Sequence, residues 1–240
     1  MEMSHKREME RLWRICFNDD EDFINFFFTD LYHAVTPFLH IENSELASML
    51  FTIPIEIISG ERCCKGHYVY GACTLPQYRR RGFMASLLAR AAEDASLRGD
   101  QFSLLIPATG RLFSYYKSMG YTQTARGYFP RNIVLTEEGR RVEPEEYFSA
   151  RSCHLADIPH GVFPNEISAL VRSRLQNEGY YCEKTAEGYC LCKDFPNGKH
   201  CIETIPFGEQ DRADYCVLRP LQGQAPNFSD CYFNLLFDWK

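Results

Sequence analysis

The feature that most constrains this chain is a strand, a turn, a long amphipathic helix and a second strand, which follow one another in residues 66–106. Gly66–Leu75 alternates as a β-strand does, and Pro76 ends it. Apolar residues then recur at helical spacing, at Met84, Leu87, Leu88, Ala91, Ala92 and Ala95. Phe102–Ile106 is a short apolar strand. Because such a crossover is right-handed and makes its two strands parallel neighbours, the unit predicts an α/β fold.

Further helices and strands are predicted on both sides of this unit. Met9–Phe17 and Glu21–Tyr32 carry apolar residues at helical spacing, and residues 38–58 are predicted to form a hairpin. After the unit, Leu112–Met119 is predicted as a short helix and Tyr121–Arg126 as a strand. The first half of the chain is therefore expected to form a mixed sheet with flanking helices.

The sequence pattern divides the chain into two predicted domains. Residues 1–130 form the first, residues 131–144 are polar and are interpreted as a linker, and residues 145–240 form a smaller α+β domain. In this second domain Asn165–Asn177 is predicted as a helix. Strands are predicted at residues 147–154, 188–194, 200–205, 216–218 and 232–237. Residues 145–240 can be interpreted as a degenerate copy of the first domain, because the helix-then-strand order repeats there without a counterpart of the basic turn at residues 79–82.

Charge and hydropathy exclude several classes of protein. Acidic residues outnumber basic ones by 32 to 26, which disfavours a general nucleic-acid binder. The first residues are polar and charged, unlike a signal peptide, and no apolar run approaches the ~20 residues of a membrane span. We therefore expect a cytoplasmic protein without nucleic-acid or membrane partners. The sequence does not indicate its oligomeric state.

The eleven cysteines are expected to be free thiols, as in most cytosolic proteins. Neither Cys63-Cys64 nor Cys190-x-Cys192 has the C-x-x-C spacing of a zinc site, so no metal is predicted. One alternative stays open, a metal site whose ligands converge on one sheet. Its candidate ligands are Cys182, Cys190, Cys192 and Cys201.

A basic turn lies between the predicted strand and the predicted helix. Arg79, Arg80 and Arg81 precede Gly82, where the helix begins. Helix N-termini present unpaired amides and the positive end of the helix dipole, so this turn is a candidate site for a phosphate or pyrophosphate. The turn has neither G-x-G-x-x-G nor G-K-[ST], which argues against a dinucleotide fold and a P-loop. A plain solvated turn is the competing interpretation, and an RNA contact is disfavoured by the net acidity.

Two segments of the first half resemble the GNAT superfamily of N-acetyltransferases. Arg79–Met84 is similar to the family's Q/R-x-x-G-x-G/A turn, although Met84 stands where that pattern has Gly or Ala. Phe113–Tyr121, FSYYKSMGY, resembles the family's late FY-x-x-x-G-[FY] segment and places Tyr116 at its tyrosine. The arginine-rich turn is most similar to the enhanced-intracellular-survival branch. The resemblance covers about residues 9–128.

The resemblance implies transfer of an acetyl group from acetyl-CoA, as co-substrate, to a primary amine of a small molecule or peptide. The pantetheine arm would pair with backbone groups of Ala72, Cys73 and Thr74. The pyrophosphate would be held at Arg80, Arg81, Gly82, Phe83, Met84 and Ala85. Tyr116 would protonate the departing thiolate. Two carboxylates are candidates for the base, the side chain of Glu56 and the chain terminus at Lys240, which the survival-protein branch places in the active site.

A non-catalytic acyl-CoA-binding sensor or scaffold is the alternative function. The tyrosine at residue 116 favours the enzyme, whereas the lack of an obvious base leaves the alternative open. The aromatic content of 14% suits an apolar amine, and the net charge of −6 suits a cationic one, so the sequence does not identify the acceptor.

Overall fold

The computed structural model describes residues 2–128, 133–134, 139–196, 198–206, 212–222, 228 and 231–235. Its α-helices are α1 (Glu2–Cys16), α2 (Glu21–Asn25), α3 (Phe83–Arg98), α4 (Gly110–Lys117), α5 (Pro144–Leu155) and α6 (Asn165–Asn177). A π-helical turn, Phe26–Leu31, continues α2. Among the described residues, no helix combines the length and the apolarity needed to cross a bilayer.

The strands belong to two sheets. They are β1 (Thr36–Glu42), β2 (Glu45–Ser59), β3 (Arg62–Thr74), β4 (Phe102–Leu105), β5 (Gln123–Tyr128), β6 (Ile133–Val134), β7 (Arg140–Val142), β8 (His160–Val162), β9 (Tyr181–Lys184), β10 (Tyr189–Phe195), β11 (Gly198–Ile205) and β12 (Arg212–Pro220). The first sheet has the order β1-β2-β3-β4-β12-β5, and the second has the order β6-β11-β10-β9-β7.

The predicted crossover is confirmed in the first sheet. β3 and β4 are parallel neighbours, paired from Gly66 opposite Phe102 to Val69 opposite Leu105, and α3 connects them. The last strand in sequence, β12, runs antiparallel to β4, with Val217 opposite Leu105. The mixed α/β fold class expected from the sequence is therefore confirmed.

Both faces of the first sheet are covered by helices. On one face Trp13 of α1 packs its ring against Phe27, Phe51 and Tyr70, with centroids 4.6 to 5.9 Å apart. On the other face a buried group, here called the α3–α4 cluster, consists of Phe38, Leu50, Val69, Leu87, Leu88, Ala91, Leu105, Tyr116, Tyr121 and Val217. The burial of these side chains stabilises the sheet between its two helical layers.

The described residues form two compact units that are not contiguous in sequence. The first takes residues from 1–56, 64–124 and 216–226, and the second takes residues from 57–63, 125–215 and 227–240. The domain boundaries expected from the sequence stay a prediction. The segment 131–144, interpreted above as a linker, contains β6 and β7, and β7 pairs with β9 through Arg140 opposite Lys184.

The second sheet contains the predicted hairpin, because β10 and β11 pair from Tyr189 opposite Ile205 to Phe195 opposite Gly198. The predicted strand 147–154 is wrong, since this segment lies within α5. Pro144 at the first helical position and acidic residues in the first turn are helix-start signals that outweigh its short apolar pattern. Of the predicted strand 232–237, the described part forms one bridge, between Tyr232 and His160.

A buried carboxylate organises the interior of the second unit. Glu203 on β11 is 1% exposed and accepts hydrogen bonds from the donors Tyr147 Oη (2.5 Å), Arg151 Nε (2.8 Å), Tyr232 Oη (2.6 Å) and Asn234 Nδ2 (2.9 Å). The Glu203 carboxylate also raises the pKa of Arg151 against the opposing effect of burial. Because four donors surround it, the buried charge of Glu203 is compensated by hydrogen bonds.

Candidate functional site

The edge of β3 opens beyond its pairing with β4. The parallel register ends at Val69 and Leu105, whereas β3 continues to Thr74. Residues 70–74 therefore extend past the last pair with β4, and their backbone groups on that side can pair with an extended ligand. The residues predicted to bind pantetheine, 72–74, lie in this segment.

Gly71 marks a change of direction in β3. Its φ is +59°, and an added Cβ would lie 2.7 Å from Cζ3 of Trp13, so no larger residue fits there without movement. Val69 and Ala72, three residues apart, both contact the α3–α4 cluster, although strict alternation would put them on opposite faces. The strand is therefore irregular at Gly71, and this irregularity lies at the start of the open edge.

Side chains fix the backbone at the end of this edge. Ser48 Oγ donates to the carbonyl of Cys73 at 2.9 Å, so the hydroxyl of Thr74, 2.8 Å from Ser48 Oγ, must be the donor in their contact. Arg79 Nε donates to the carbonyl of Thr74 at 3.1 Å. These bonds hold residues 73 and 74 in place before any ligand binds.

The turn before α3 forms an open cradle of amides. Arg80 and Gly82 both have positive φ, 64° and 84°, and a Cβ on Gly82 would meet no atom within 4 Å. Gly82 is the N-cap of α3 and supplies no side-chain hydrogen bond to the first turn. The amides of Phe83, Met84 and Ala85 therefore keep the unpaired donors of a helix start, beside the positive end of a 16-residue helix. This geometry fits a pyrophosphate.

The side chains around the cradle leave its centre open. Arg80 and Arg81 are exposed, and the guanidinium of Arg81 lies over the ring of Tyr78, 5.2 Å from its centroid. The ring of Phe83 stacks on His40 at 3.8 Å. Met84, the departure from the family pattern, is partly buried against the α3–α4 cluster. Its side chain therefore packs inward.

Tyr116 lies on α4, within the α3–α4 cluster. It is 9% exposed, and its ring meets those of Tyr115 and Tyr121 edge-on, with centroids 5.2 and 6.0 Å apart. Burial, reinforced by the nearby Tyr115, raises the pKa of Tyr116 to about 12. The phenol is therefore protonated across the neutral pH range and can act as a proton donor.

A thiol not assigned from the sequence lies beside the open edge. Cys16, at the end of α1, is half-buried, with Sγ 3.8 Å from the carbonyl oxygen of Thr74. A hydrogen bond from the thiol of Cys73 and the charge of Arg79 outweigh burial and lower the pKa of Cys16 to about 7. The apolar face of the predicted first helix included Cys16, but nothing in the sequence connected it to β3.

The rate at which iodoacetamide alkylates Cys16 is expected to rise steeply between about pH 6 and about pH 8. The thiolate is the nucleophile, and it forms above the pKa, which here lies near 7. Peptide mass spectrometry of a pH series measures the rate, and Cys16→Ser identifies the peptide. A midpoint at the ordinary thiol value of about 8.5 would contradict the predicted environment.

Neither of the two candidate bases, Glu56 and Lys240, is found at the open edge of β3 among the described residues. The amide of Leu75 donates to the carbonyl of Ala47, so the end of β3 lies beside residues 47 and 48 of β2. Glu56 is eight residues beyond Ser48, which corresponds to about 26 Å of strand. Lys240 lies outside the described residues.

The first unit thus combines a helix-flanked sheet, an open strand edge beyond a parallel pair, and a helix start without a side-chain cap. The family model described as an acetyltransferase (GNAT) domain matches residues 1–124. Because the match covers more than half of the chain, the protein belongs to the GNAT acetyltransferase family, as expected from its two motifs. This family uses acetyl-CoA as a co-substrate.

Solved structures similar to this protein come from several organisms. A probable N-acyltransferase from Enterococcus faecalis has a TM-score of 0.68 and 12% identity, over 91% of this chain and 70% of that one. A GCN5-related N-acetyltransferase from Kribbella flavida has a TM-score of 0.62 and 13% identity, with the same coverage of both chains. Eis1 from Mycobacterium abscessus has a TM-score of 0.49 and 16% identity, over 67% of this chain and 44% of Eis1. A search of curated proteins gives no significant match.

Proposed function

We propose that this protein transfers the acetyl group of acetyl-CoA to a primary amine of a small molecule or peptide by direct attack. The observation that best supports the proposal is that Ala72 and Met84 both pack against the α3–α4 cluster, which contains Tyr116. That cluster connects a proton donor, the open edge of β3 and the first turn of α3 within a single compact unit.

The binding roles follow from the backbone. The amides of the turn and of the first turn of α3 hold the pyrophosphate, and the exposed guanidiniums of Arg80 and Arg81 add positive charge around it. The edge at Ala72, Cys73 and Thr74 pairs with the amides of the pantetheine arm. One amide of this edge donates to the thioester oxygen, where negative charge develops during the reaction.

The chemistry needs two protons removed from the nitrogen and one proton supplied to the sulfur. The substrate ammonium loses a proton, the neutral amine attacks the thioester carbonyl carbon, and a C–N bond forms as the C–S bond breaks. The departing thiolate takes a proton from the Tyr116 hydroxyl, and the second proton that leaves the nitrogen as the amide forms restores that hydroxyl. We assign no described side chain as the base, because Glu56 is distant from the open edge and Lys240 lies outside the described residues.

Replacing Gly82 by aspartate is expected to weaken acetyl-CoA binding at least tenfold relative to replacing it by asparagine. Both residues tolerate the positive φ of this position and have similar size, so the pair differs mainly in charge. A carboxylate at the cradle would repel a pyrophosphate. Isothermal titration calorimetry with acetyl-CoA measures the difference.

The stability of the unliganded protein provides the control. Both variants place a Cβ at the same positive φ, so the backbone strain of Gly82→Asp and Gly82→Asn is expected to be alike and their Tm values similar. Weaker binding by Gly82→Asp at the same Tm as Gly82→Asn is then attributable to the anion site. Equal affinities of the two variants would exclude the cradle as the pyrophosphate site.

A panel of amines tests the transfer itself. Polyamines, aminoglycosides, aromatic amines and peptide N-termini are incubated with acetyl-CoA, and released thiol is detected with a chromogenic disulfide. The proposal predicts amine-dependent thiol release. Tight acetyl-CoA binding without thiol release for any amine would instead support the non-catalytic binding module.

A further inference from the structure

Three cysteines of the second unit meet on one face of its sheet. Cys190 and Cys192 lie on β10, and Cys201 lies on β11. Their Sγ atoms all lie within 4.8 Å of one another, and the three residues are at most 4% exposed. The sequence predicted no metal because it lacks C-x-x-C, but the convergence that it left open is observed for these three.

An irregularity in the strand pairing brings the third thiol to this face. Leu191 pairs with Glu203, but Cys192 pairs with Cys201, so Ile202 is an extra residue on β11. Without that bulge, Cys192 would face Ile202, and Cys201 would lie on the opposite face of the sheet. Bulges frequently re-aim a side chain near functional sites, and this one completes a cluster of three sulfurs.

We propose that Cys190, Cys192 and Cys201 are thiolate ligands of a structural Zn²⁺ ion. Zinc–sulfur bonds of ~2.3 Å in a tetrahedral site place the sulfurs about 3.8 Å apart. The observed spacing therefore needs a contraction of ~1 Å or less between neighbouring strands. Soft thiolate ligands in a buried setting select zinc over magnesium or calcium.

Neighbouring polar side chains suit the fourth position and the charge. Glu183 on β9 lies directly opposite Cys190, so its carboxylate is on the same face of the sheet. Glu183 is 5% exposed, and Lys199 Nζ lies 2.6 Å from its Oε2. The Glu183 carboxylate is outside the group of ligand atoms that lie within 4.8 Å of one another, so we assign it as a fourth ligand that moves toward the sulfurs when the metal binds. The Lys199 ammonium then offsets one of the negative charges that three thiolates and a carboxylate bring.

Metal content of the full chain tests the proposal. The protein, purified after expression with added zinc, is expected to contain about one zinc ion per chain by elemental analysis. Cys192→Ser is expected to lower its zinc affinity at least a hundredfold in competition with a chromogenic chelator. Cys182→Ser is the matched control, because Cys182 is also buried but pairs with Leu191 and so lies on the opposite face. It should keep its zinc.

A second measurement separates ligation from folding. Cobalt(II) bound in place of zinc should show thiolate-to-metal charge-transfer absorption, which weakens by about a third in a folded Cys192→Ser variant. If that variant does not fold, the zinc content and cobalt spectrum of the unaltered chain still decide. Any one of three results would overturn the assignment. These are a zinc content below about a tenth of an ion per chain, the absence of a charge-transfer band after cobalt loading, and binding of copper(I) in preference to zinc.

Discussion

Replacing Tyr116 by phenylalanine is expected to lower kcat for acetyl transfer by about 10²- to 10⁴-fold, the usual contribution of a general acid. The substitution removes only the hydroxyl, so the ring contacts with Tyr115 and Tyr121 persist. Because burial raises the pKa of Tyr116 to about 12, its phenol is fully protonated in the wild type. Steady-state thiol release with the best amine of the panel measures the effect.

The neighbouring Tyr115 offers a matched control. It is 39% exposed, it lies on the same short helix, and Tyr115→Phe removes a hydroxyl of the same kind. We expect Tyr115→Phe to change kcat by less than about threefold, and both variants to bind acetyl-CoA as the wild type does. Equal activity of Tyr116→Phe and the wild type would remove Tyr116 from the mechanism while leaving the acyl-CoA site intact.

Replacing Glu203 by alanine is expected to destabilise the second unit by about 3–5 kcal/mol. The Arg151 side chain is only 13% exposed, and the substitution would leave its charge without a carboxylate partner. The hydroxyls of Tyr147 and Tyr232 would lose their acceptor as well. A buried charge without a partner costs far more than the pair contributes when intact. The shift in urea midpoint measures the loss, and hydrogen exchange in α5 peptides locates it.

Glu187→Ala is the comparison variant for this experiment. Glu187 is an exposed glutamate of the same unit, so its loss should change the free energy of unfolding by less than about 0.5 kcal/mol. A loss below about 1 kcal/mol for Glu203→Ala would show that water enters and solvates Arg151. The buried network would then have little importance for stability.

Local patterns in the sequence were sufficient to predict the crossover and the position of the turn that precedes α3. Alternation in β3, helical spacing in α3 and the position of Gly82 are short-range signals, and the parallel pairing follows from chain handedness. Tyr116 became a candidate because its motif lies at the right spacing after that unit, and its catalytic role stays a prediction. The same signals failed for α5, where a short apolar segment fits either a strand or a helix.

Features that depend on long-range pairing were not visible in the sequence. The bulge at Ile202 decides which face receives Cys201, and no local pattern in β11 marks it. The contact between Cys16 and Thr74 joins residues 58 positions apart. Likewise, Tyr147 and Arg151 of α5 donate hydrogen bonds to Glu203, which lies on β11, far from α5 in the sequence.

The position of β12 limits how this protein can be divided. The family match ends at residue 124, yet β4 completes its pairing with residues 217–220, nearly a hundred positions later. A fragment ending at Thr124 would leave an unpaired apolar strand edge at Leu104 and Leu105, the kind of edge that promotes aggregation. During synthesis this edge stays uncovered until the chain has passed residue 220. The segment recognised by homology is therefore shorter than the segment that completes this sheet, and strands paired at such long sequence separation are expected to close slowly.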